Sequence, residues 1–225
     1  MTTYLITGAN RGIGLEMTRK ALASGHRVVA TCRNPTAAEE LCALGGSLDV
    51  HRLDVTDEAQ TTALAEKLAS LTFDVLVNNA GVMAVHQSIG DMDYHEWMTS
   101  FSINAIAPWR MAIAFASHLD ASSSPRLVTL TSQMGSLARA GSDRVSYRSS
   151  KAAANMAMRT LALEWQQRGI TVCVLHPGWV RTDMGGSDAA VGSIESACGL
   201  LQVIDKLTLK DTGRFLDYQG VEIPW

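Results

Sequence analysis

The chain has 225 residues, and what it is short of narrows what it can be. It has four cysteines, Cys32, Cys42, Cys173 and Cys198, scattered with no C-x-x-C pair. That spacing argues against zinc and fits a reducing compartment. No apolar run reaches the roughly 18 residues a membrane span needs. The N-terminus lacks the basic, apolar, small-residue order of a secretory signal. Excess charge of one sign is missing too: the formal net charge is −3, which gives no broad pull toward nucleic acid or anionic membrane. There is no internal repeat and no long low-complexity stretch, and Ser122 to Pro125 is a short turn. His86, His95, His118 and His176 have neither metal spacing nor a nucleophile partner, so they are read as structural or exposed and no metal is expected. Together these absences predict a cytoplasmic protein with neither nucleic acid nor membrane as partner.

What is present is an alternation. Apolar content of 47% with 18% charge is that of an ordinary globular protein, and the length suits one large α/β domain. Short runs rich in Val, Leu and Ile occur at 4–7, 27–32, 48–53, 74–78, 126–131 and 171–176. Helix-length segments lie between them at 13–24, 57–70, 94–118 and 146–168. Strand, helix, strand at this spacing predicts right-handed crossovers and a parallel sheet. Near-continuous apolar strands are expected where helices cover both faces. A further helix is expected from Ser193, read as its N-cap with Glu195 in the first turn, and an edge strand within 213–217. The prediction is a doubly wound parallel sheet of about seven strands flanked by helices.

The first strand runs into Thr7-Gly-Ala-Asn-Arg-Gly-Ile-Gly14, with glycines at 8, 12 and 14 and a helix behind them. Glycine permits a tight turn and close backbone approach to a pyrophosphate, and the helix N-terminus offers free N–H donors. Placed after the first strand of a βαβ unit, this is a strong dinucleotide signal. The second strand ends Ala30-Thr-Cys-Arg33 with no acid for the ribose hydroxyls of NAD. Arg33 and Arg11 are candidate partners for a 2′-phosphate by charge-assisted bonds, which favours NADPH over NADH; the alternative is that Arg33 is a solvated surface charge. Asp54 and Val55 close the third strand, where the acid could take the adenine amino group. Asn78-Asn-Ala-Gly81 closes the fourth, and Asn78, Ala80 and Gly81 are placed in the same site.

The other end of the predicted site is TSQMGSLARAGSDRVSYRSSK, residues 131–151. Tyr147 and Lys151 are four apart, on one face of a helix. A phenol with an ordinary pKa near ~10 holds its proton at neutral pH. A neighbouring ammonium favours the phenolate, so such a tyrosine can give a proton to a carbonyl oxygen or take one back. Ser132 would hold that oxygen.

Thr7-Gly-x-x-x-Gly-x-Gly14, Asn78-Asn-Ala-Gly81, Ser132, Tyr147-x-x-x-Lys151 and Pro177-Gly178 together resemble the short-chain dehydrogenase/reductase family, from about residue 3 to the end. The resemblance implies a Rossmann domain binding NAD(P), transfer of the pro-S hydride, and a catalytic set of Asn104, Ser132, Tyr147 and Lys151. Asn104 would kink its helix and hold a water linking Lys151 to solvent. It also implies that Ile13 meets the pyrophosphate, that Asn78 lies beside the adenine ribose, and that the segment with Pro177, Gly178, Val180 and Thr182 holds the nicotinamide carboxamide. Cys32 stands where NAD-preferring members carry aspartate. Residues 30–35, 176–186 and 214–220, with the Ile-Pro-Trp terminus, are similar to the narrower Sniffer and C-factor group of small carbonyl reductases and a bacterial developmental signal.

Fourteen residues separate Ser132 from Tyr147, slightly more than is usual in that family, which predicts a longer loop at the pocket mouth. The segment at 183–195 is short, so a small lid and broad acceptance of ketones and aldehydes are expected. Met83, Ala84, Gln133, Met134, Leu137, Trp179 and Met184 are candidates for the substrate pocket, with core or surface packing as the alternative. The stretch 151–163 is apolar around most of its circumference, as in a helix buried by both core and partner, so a homodimer or homotetramer is expected. Two functions compete. One is an NADPH-dependent carbonyl reductase or alcohol dehydrogenase; the other is an NAD(P)-binding sensor or signalling protein of the C-factor type with little turnover. A methyltransferase on a similar sheet would leave the Tyr–Lys pair unexplained.

Overall fold

The computed structural model describes residues 1–225. In chain order the elements are β1 (Thr3–Thr7), α1 (Gly12–Ala23), β2 (Arg27–Cys32), α2 (Glu39–Cys42), β3 (Leu48–Arg52), α3 (Glu58–Lys67), β4 (Val75–Asn78), β5 (Gln87–Ser88) and β6 (Asp91–Met92). They continue with α4 (Tyr94–Phe101), α5 (Ala107–Ala114), α6 (Ala116–Asp120), β7 (Arg126–Leu130), α7 (Val145–Trp165), β8 (Thr171–His176), α8 (Ser193–Lys206) and β9 (Phe215–Asp217). Seven strands form one parallel sheet in the order β3-β2-β1-β4-β7-β8-β9, while β5 and β6 make a separate two-residue antiparallel ribbon. The strand order reverses between β1 and β4, and in such sheets the crevice beyond the carboxyl ends at that point is where ligands bind.

Strand alternation builds two cores from one sheet. Tyr4, Ile6, Val28, Val75, Val77 and Leu175 face one side and pack with Leu200 and Ile204 of α8 and Leu15 and Met17 of α1. Leu5, Val29, Leu76, Leu127, Val172 and Val174 face the other, under Met111 of α5 and Met158, Leu161 and Trp165 of α7. Apolar residues on both faces account for the continuous runs in the sequence.

Two helix readings are corrected. The segment 94–118 is not one helix: α4 and α5 are joined by a π-turn over Ser102–Ile106, in which Ala107 N–H bonds Ser102 O. One extra residue per turn there rotates α5 relative to α4. Ser193 is the first residue of α8 rather than its cap; Gly192 is the N-cap and supplies no side-chain bond. At the sheet edge, Ile223 N–H bonds Phe215 O at 2.8 Å, and the chain then runs back to the segment following β7. There Pro224 O accepts from Ser136 Oγ at 2.6 Å and Trp225 O from Ala138 N–H at 3.0 Å.

Candidate active site

A cleft of about 950 Å³ crosses the carboxyl ends of β1, β2, β4 and β7. At one end, Gly12 adopts φ +56, where an L side chain is strained, and opens α1. The N-cap, Arg11, makes no side-chain cap bond, and the first turn of α1 holds no acid. The helix therefore presents unspent N–H donors and its positive dipole end to the cleft. Gly14 lies beneath this turn; a Cβ there would collide with Asn79 Nδ2 and Gly8 O. Asn79 locks the turn from below, donating to Thr7 O at 2.7 Å and Gly8 O at 3.0 Å, while Thr7 Oγ1 accepts from the N–H groups of Asn79 and Ala80. Arg33 and Asp54 stand together in the outer wall. Asp54 Oδ1 accepts from Thr56 N and Oγ1, and these bonds, with a smaller contribution from Arg33, hold its carboxyl below the usual range.

At the other end Tyr147 and Lys151 line the cleft from the first two turns of α7. The Lys151 ammonium is buried, donates to Leu130 O at 3.0 Å and stands 5.7 Å from the centre of the Tyr147 ring. Burial pushes it down to about 8. Burial also raises the phenol of Tyr147 to about 12, against the opposing pull of the Ser132 hydroxyl and, more weakly, Arg144. Desolvation outweighs these two favourable neighbours. Ser132 is buried beside it and its Oγ also accepts from Met134 N–H at 3.1 Å. Asn104, buried in the π-turn, accepts from Val82 N–H at 2.9 Å and donates to Val82 O at 2.8 Å and Ser150 Oγ at 3.0 Å. Three of its hydrogen-bonding positions are taken by these bonds, and Oδ1 keeps one lone pair. Asn104 Oδ1 and Lys151 Nζ meet at Gly81, where a Cβ would lie 3.3 and 3.5 Å from them.

A family profile described as short chain dehydrogenase matches residues 2–190. The chain belongs to that family. It is 44% identical to the C-signal of Myxococcus xanthus over 165 residues, 72% of this chain and 99% of that protein. Among solved structures it is similar to an NADPH-bound carbonyl reductase from chicken fatty liver, at 34% identity and TM-score 0.93, covering 100% of this chain and 99% of that one. It is also similar to the carbonyl reductase Sniffer of D. melanogaster, at 28% identity and TM-score 0.94, with both chains fully covered. These relatives fall in the Sniffer and C-factor group that the sequence resembles.

In this short-chain dehydrogenase, Gly8, Asn10, Arg11, Gly12, Ile13, Arg33, Asp54, Val55, Ala80, Gly81, Pro177 and Thr182 line the cleft with Tyr147 and Lys151. Several sequence-derived residues lie elsewhere. Asn78 ends β4 pointing into the α5 layer, where its Nδ2 donates to Pro108 O and Thr129 Oγ1. The cleft-facing residue is its neighbour Asn79, which sequence reasoning passed over. Gly178, at φ +90, packs on Val191 and Tyr218 rather than facing the cleft. Val180 is buried in a short ladder that joins Trp179 to Arg181 with Val191. Arg11 stands at the mouth of the cleft, exposed, and pairs there with Asp183 at 2.9 Å.

Among the proposed pocket residues, Met184 lines the cavity, whereas Met83, Gln133, Met134 and Trp179 do not. Trp179 is half exposed and its Nε1–H donates to Gly185 O at 2.8 Å, and the Gln133 amide oxygen is taken by Arg139 at 2.9 Å. Leu137 is exposed on the longer loop, and Ala84 O is occupied by Gln87. Thr99, Ser102 and Ile103, from α4 and the π-turn, line the cavity and were not anticipated. Nothing in their residue types marks them; the turn in the helix brings them round.

Proposed function

We propose that this chain is an NADPH-dependent oxidoreductase that reversibly reduces a ketone or aldehyde to an alcohol, with Tyr147 as general acid and base. The observation that carries the reading is the meeting of Tyr147, Lys151 and Ser132 at the inner end of one cleft whose outer end is an uncapped helix N-terminus with Arg33 beyond it. The site fits a dinucleotide: it is elongated, its helix end offers donors without an acid, and glycine leaves room for close approach. NADPH bound there supplies the hydride. The 8–14 turn would hold the pyrophosphate, Arg33 the 2′-phosphate, and Asp54 and Val55 the adenine side, with Ala80, Gly81, Pro177 and Thr182 along the middle. The NADPH-bound chicken-liver relative supports this choice.

At neutral pH a phenol raised to about 12 keeps its proton, which suits the acid of a reduction. That proton passes to the carbonyl oxygen as the carbon is reduced, and Ser132 steadies the oxygen by a hydrogen bond. The Lys151 ammonium then faces the phenolate left behind. The segment 183–195 is the proposed lid; Val191 in it pairs with Val180, and α8 begins at Ser193. Exposed Ile106 and Ile113 at the flank of α5, and Met156 and Leu163 of α7, are proposed to meet a second copy in a homodimer or homotetramer; a light-scattering mass that stays monomeric at every concentration would count against it. Four free cysteines suit a reducing compartment, and the cytoplasm is the proposed location.

The test is oxidation of NADPH and NADH, side by side, against aldehydes, α-diketones and cyclic ketones, with Tyr147→Phe as control. NADPH-dependent turnover lost in the variant is the expected result. Equal use of NADH would sink the role given to Arg33. The likeness to the C-signal favours a second reading, a dinucleotide-binding signalling protein; NADPH binding with no turnover on any carbonyl would move the weight there.

A further inference from the structure

Helix α7 carries Tyr147 in its first turn but brings no cap of its own. Its N-cap, Arg144, has φ +53 and makes no side-chain capping bond; it is the one non-glycine residue in the chain with positive φ. A capping side chain ordinarily accepts from the N–H of the second or third helical residue. Here those residues are Ser146 and Tyr147. The acceptor comes from 60 positions away. Gln87, buried in the β5 ribbon, places Oε1 3.2 Å from Tyr147 N and 2.8 Å from Ser146 Oγ, both of which donate to it. Its Nε2 donates to Ala84 O at 2.5 Å, which fixes the amide orientation.

The other side of Tyr147 is held by a matching device. Tyr147 O accepts from Ser150 Oγ at 2.9 Å, and Ser150 Oγ accepts in turn from Asn104 Nδ2 at 3.0 Å. Asn104 grips Val82 through both amide atoms. Both peptide groups of Tyr147 are thus tied to side chains rooted in the 82–104 segment, one directly and one through Ser150.

We propose that Gln87 is a positioning residue: it caps the helix of Tyr147 from another segment and sets the place of the phenol relative to the substrate oxygen. The proposal rests on the reading of Tyr147 as the acid. Gln87 touches no reacting atom. It acts because proton transfer demands tight placement, and a displacement of about 1 Å can cost about a hundredfold in rate.

The test compares Gln87→Met, which keeps length and loses the acceptor, with Gln87→Glu, which keeps an acceptor at the positive end of the helix and gives up the donor to Ala84 O unless it is protonated. Amide exchange at Tyr147 needs no substrate and is read first. Gln87→Met is expected to speed it by at least about fivefold, and Gln87→Glu to restore it. In turnover, Gln87→Met is expected to lower kcat by about ten- to a hundredfold while the Kd for NADPH, read by fluorescence, stays within about twofold; Gln87→Glu recovers most of kcat. Unchanged exchange in Gln87→Met overturns the cap. Unchanged kcat with faster exchange overturns the positioning role. A joint fall of Tm, NADPH affinity and kcat that Gln87→Glu fails to repair overturns it as well, since that is a general loss of fold. If Tyr147→Phe keeps full turnover, the acid reading falls, and the exchange result still decides the cap.

Discussion

On the proposed reading, the groups that would face a ligand at the β1 end of the cleft belong to the main chain: the N-terminal turn of α1, left without a cap, and the backbone around Gly8 and Gly12. At the β7 end they are side chains: Ser132 takes Met134 N–H, Lys151 donates to Leu130 O, and the backbone of Tyr147 is tied to Gln87 and, through Ser150, to Asn104. A main-chain site is indifferent to most side-chain changes and fails when a Cβ is added where none fits. A side-chain site tolerates backbone neighbours and fails when one functional group is removed. The two ends should therefore break under opposite kinds of substitution.

The largest effect is expected from removing one oxygen at the side-chain end. Tyr147→Phe should lower kcat by about 10²- to 10⁴-fold, the range that positioned acid catalysis supplies, with NADPH binding retained; steady-state rates and a fluorescence titration check both halves. Adding one carbon at the main-chain end comes next. Gly14→Ala drives a Cβ into Asn79 Nδ2 and Gly8 O. It should cost about 1–3 kcal/mol in stability and weaken NADPH at least about tenfold, read by denaturant melts and titration. Arg33→Ala should weaken NADPH by about ten- to a hundredfold and leave NADH nearly unchanged, because its proposed role is confined to one phosphate. Equal losses for both cofactors would remove Arg33 from that role.

The least obvious effect is the one that removing Lys151 has on stability, beside the loss of activity. Its folded pKa, about 8, lies below its ordinary value of 10.5. The cost of burying its charge is therefore full below pH 8 and fades as pH rises from about 8 to 10.5. Lys151→Met should be inactive yet more stable at pH 7, by about 2 kcal/mol or a Tm rise of about 4–8 °C. That advantage should shrink steadily toward pH 10.5. A variant less stable than the parent at pH 7 would mean that the bond to Leu130 O outweighs desolvation.

The sheet was legible because its central strands are buried on both faces and so appear as apolar runs; even the short β9 was placed. The glycine turn and the Tyr–Lys pair were legible because each compresses its geometry into a few consecutive residues. Asn78 was misplaced for a reason of parity. The chain leaves β4 at that residue, so Asn78 still points to the α5 layer and Asn79 turns toward the cleft. The irregularity between α4 and α5 was expected at Asn104 only through the family resemblance, because one extra residue hardly disturbs an apolar pattern. Gln87 was invisible: it lies in a segment without periodicity, and its two partners are nearly sixty residues on. Arg11 was read as a phosphate ligand from charge alone, which says nothing of the acid opposite.

That acid is Asp183, and its pairing with Arg11 has a kinetic meaning. Both side chains are mostly in solvent, so the pair is worth little and salt weakens it further. It spans the mouth between the glycine turn and the 182–186 turn. In many enzymes that close over their ligand, release of product is the slow step. On the proposed reading, ionic strength would then act as a throttle on this molecule. Cofactor residence time should shorten as salt rises, while the rate of the proton transfer inside stays where it was.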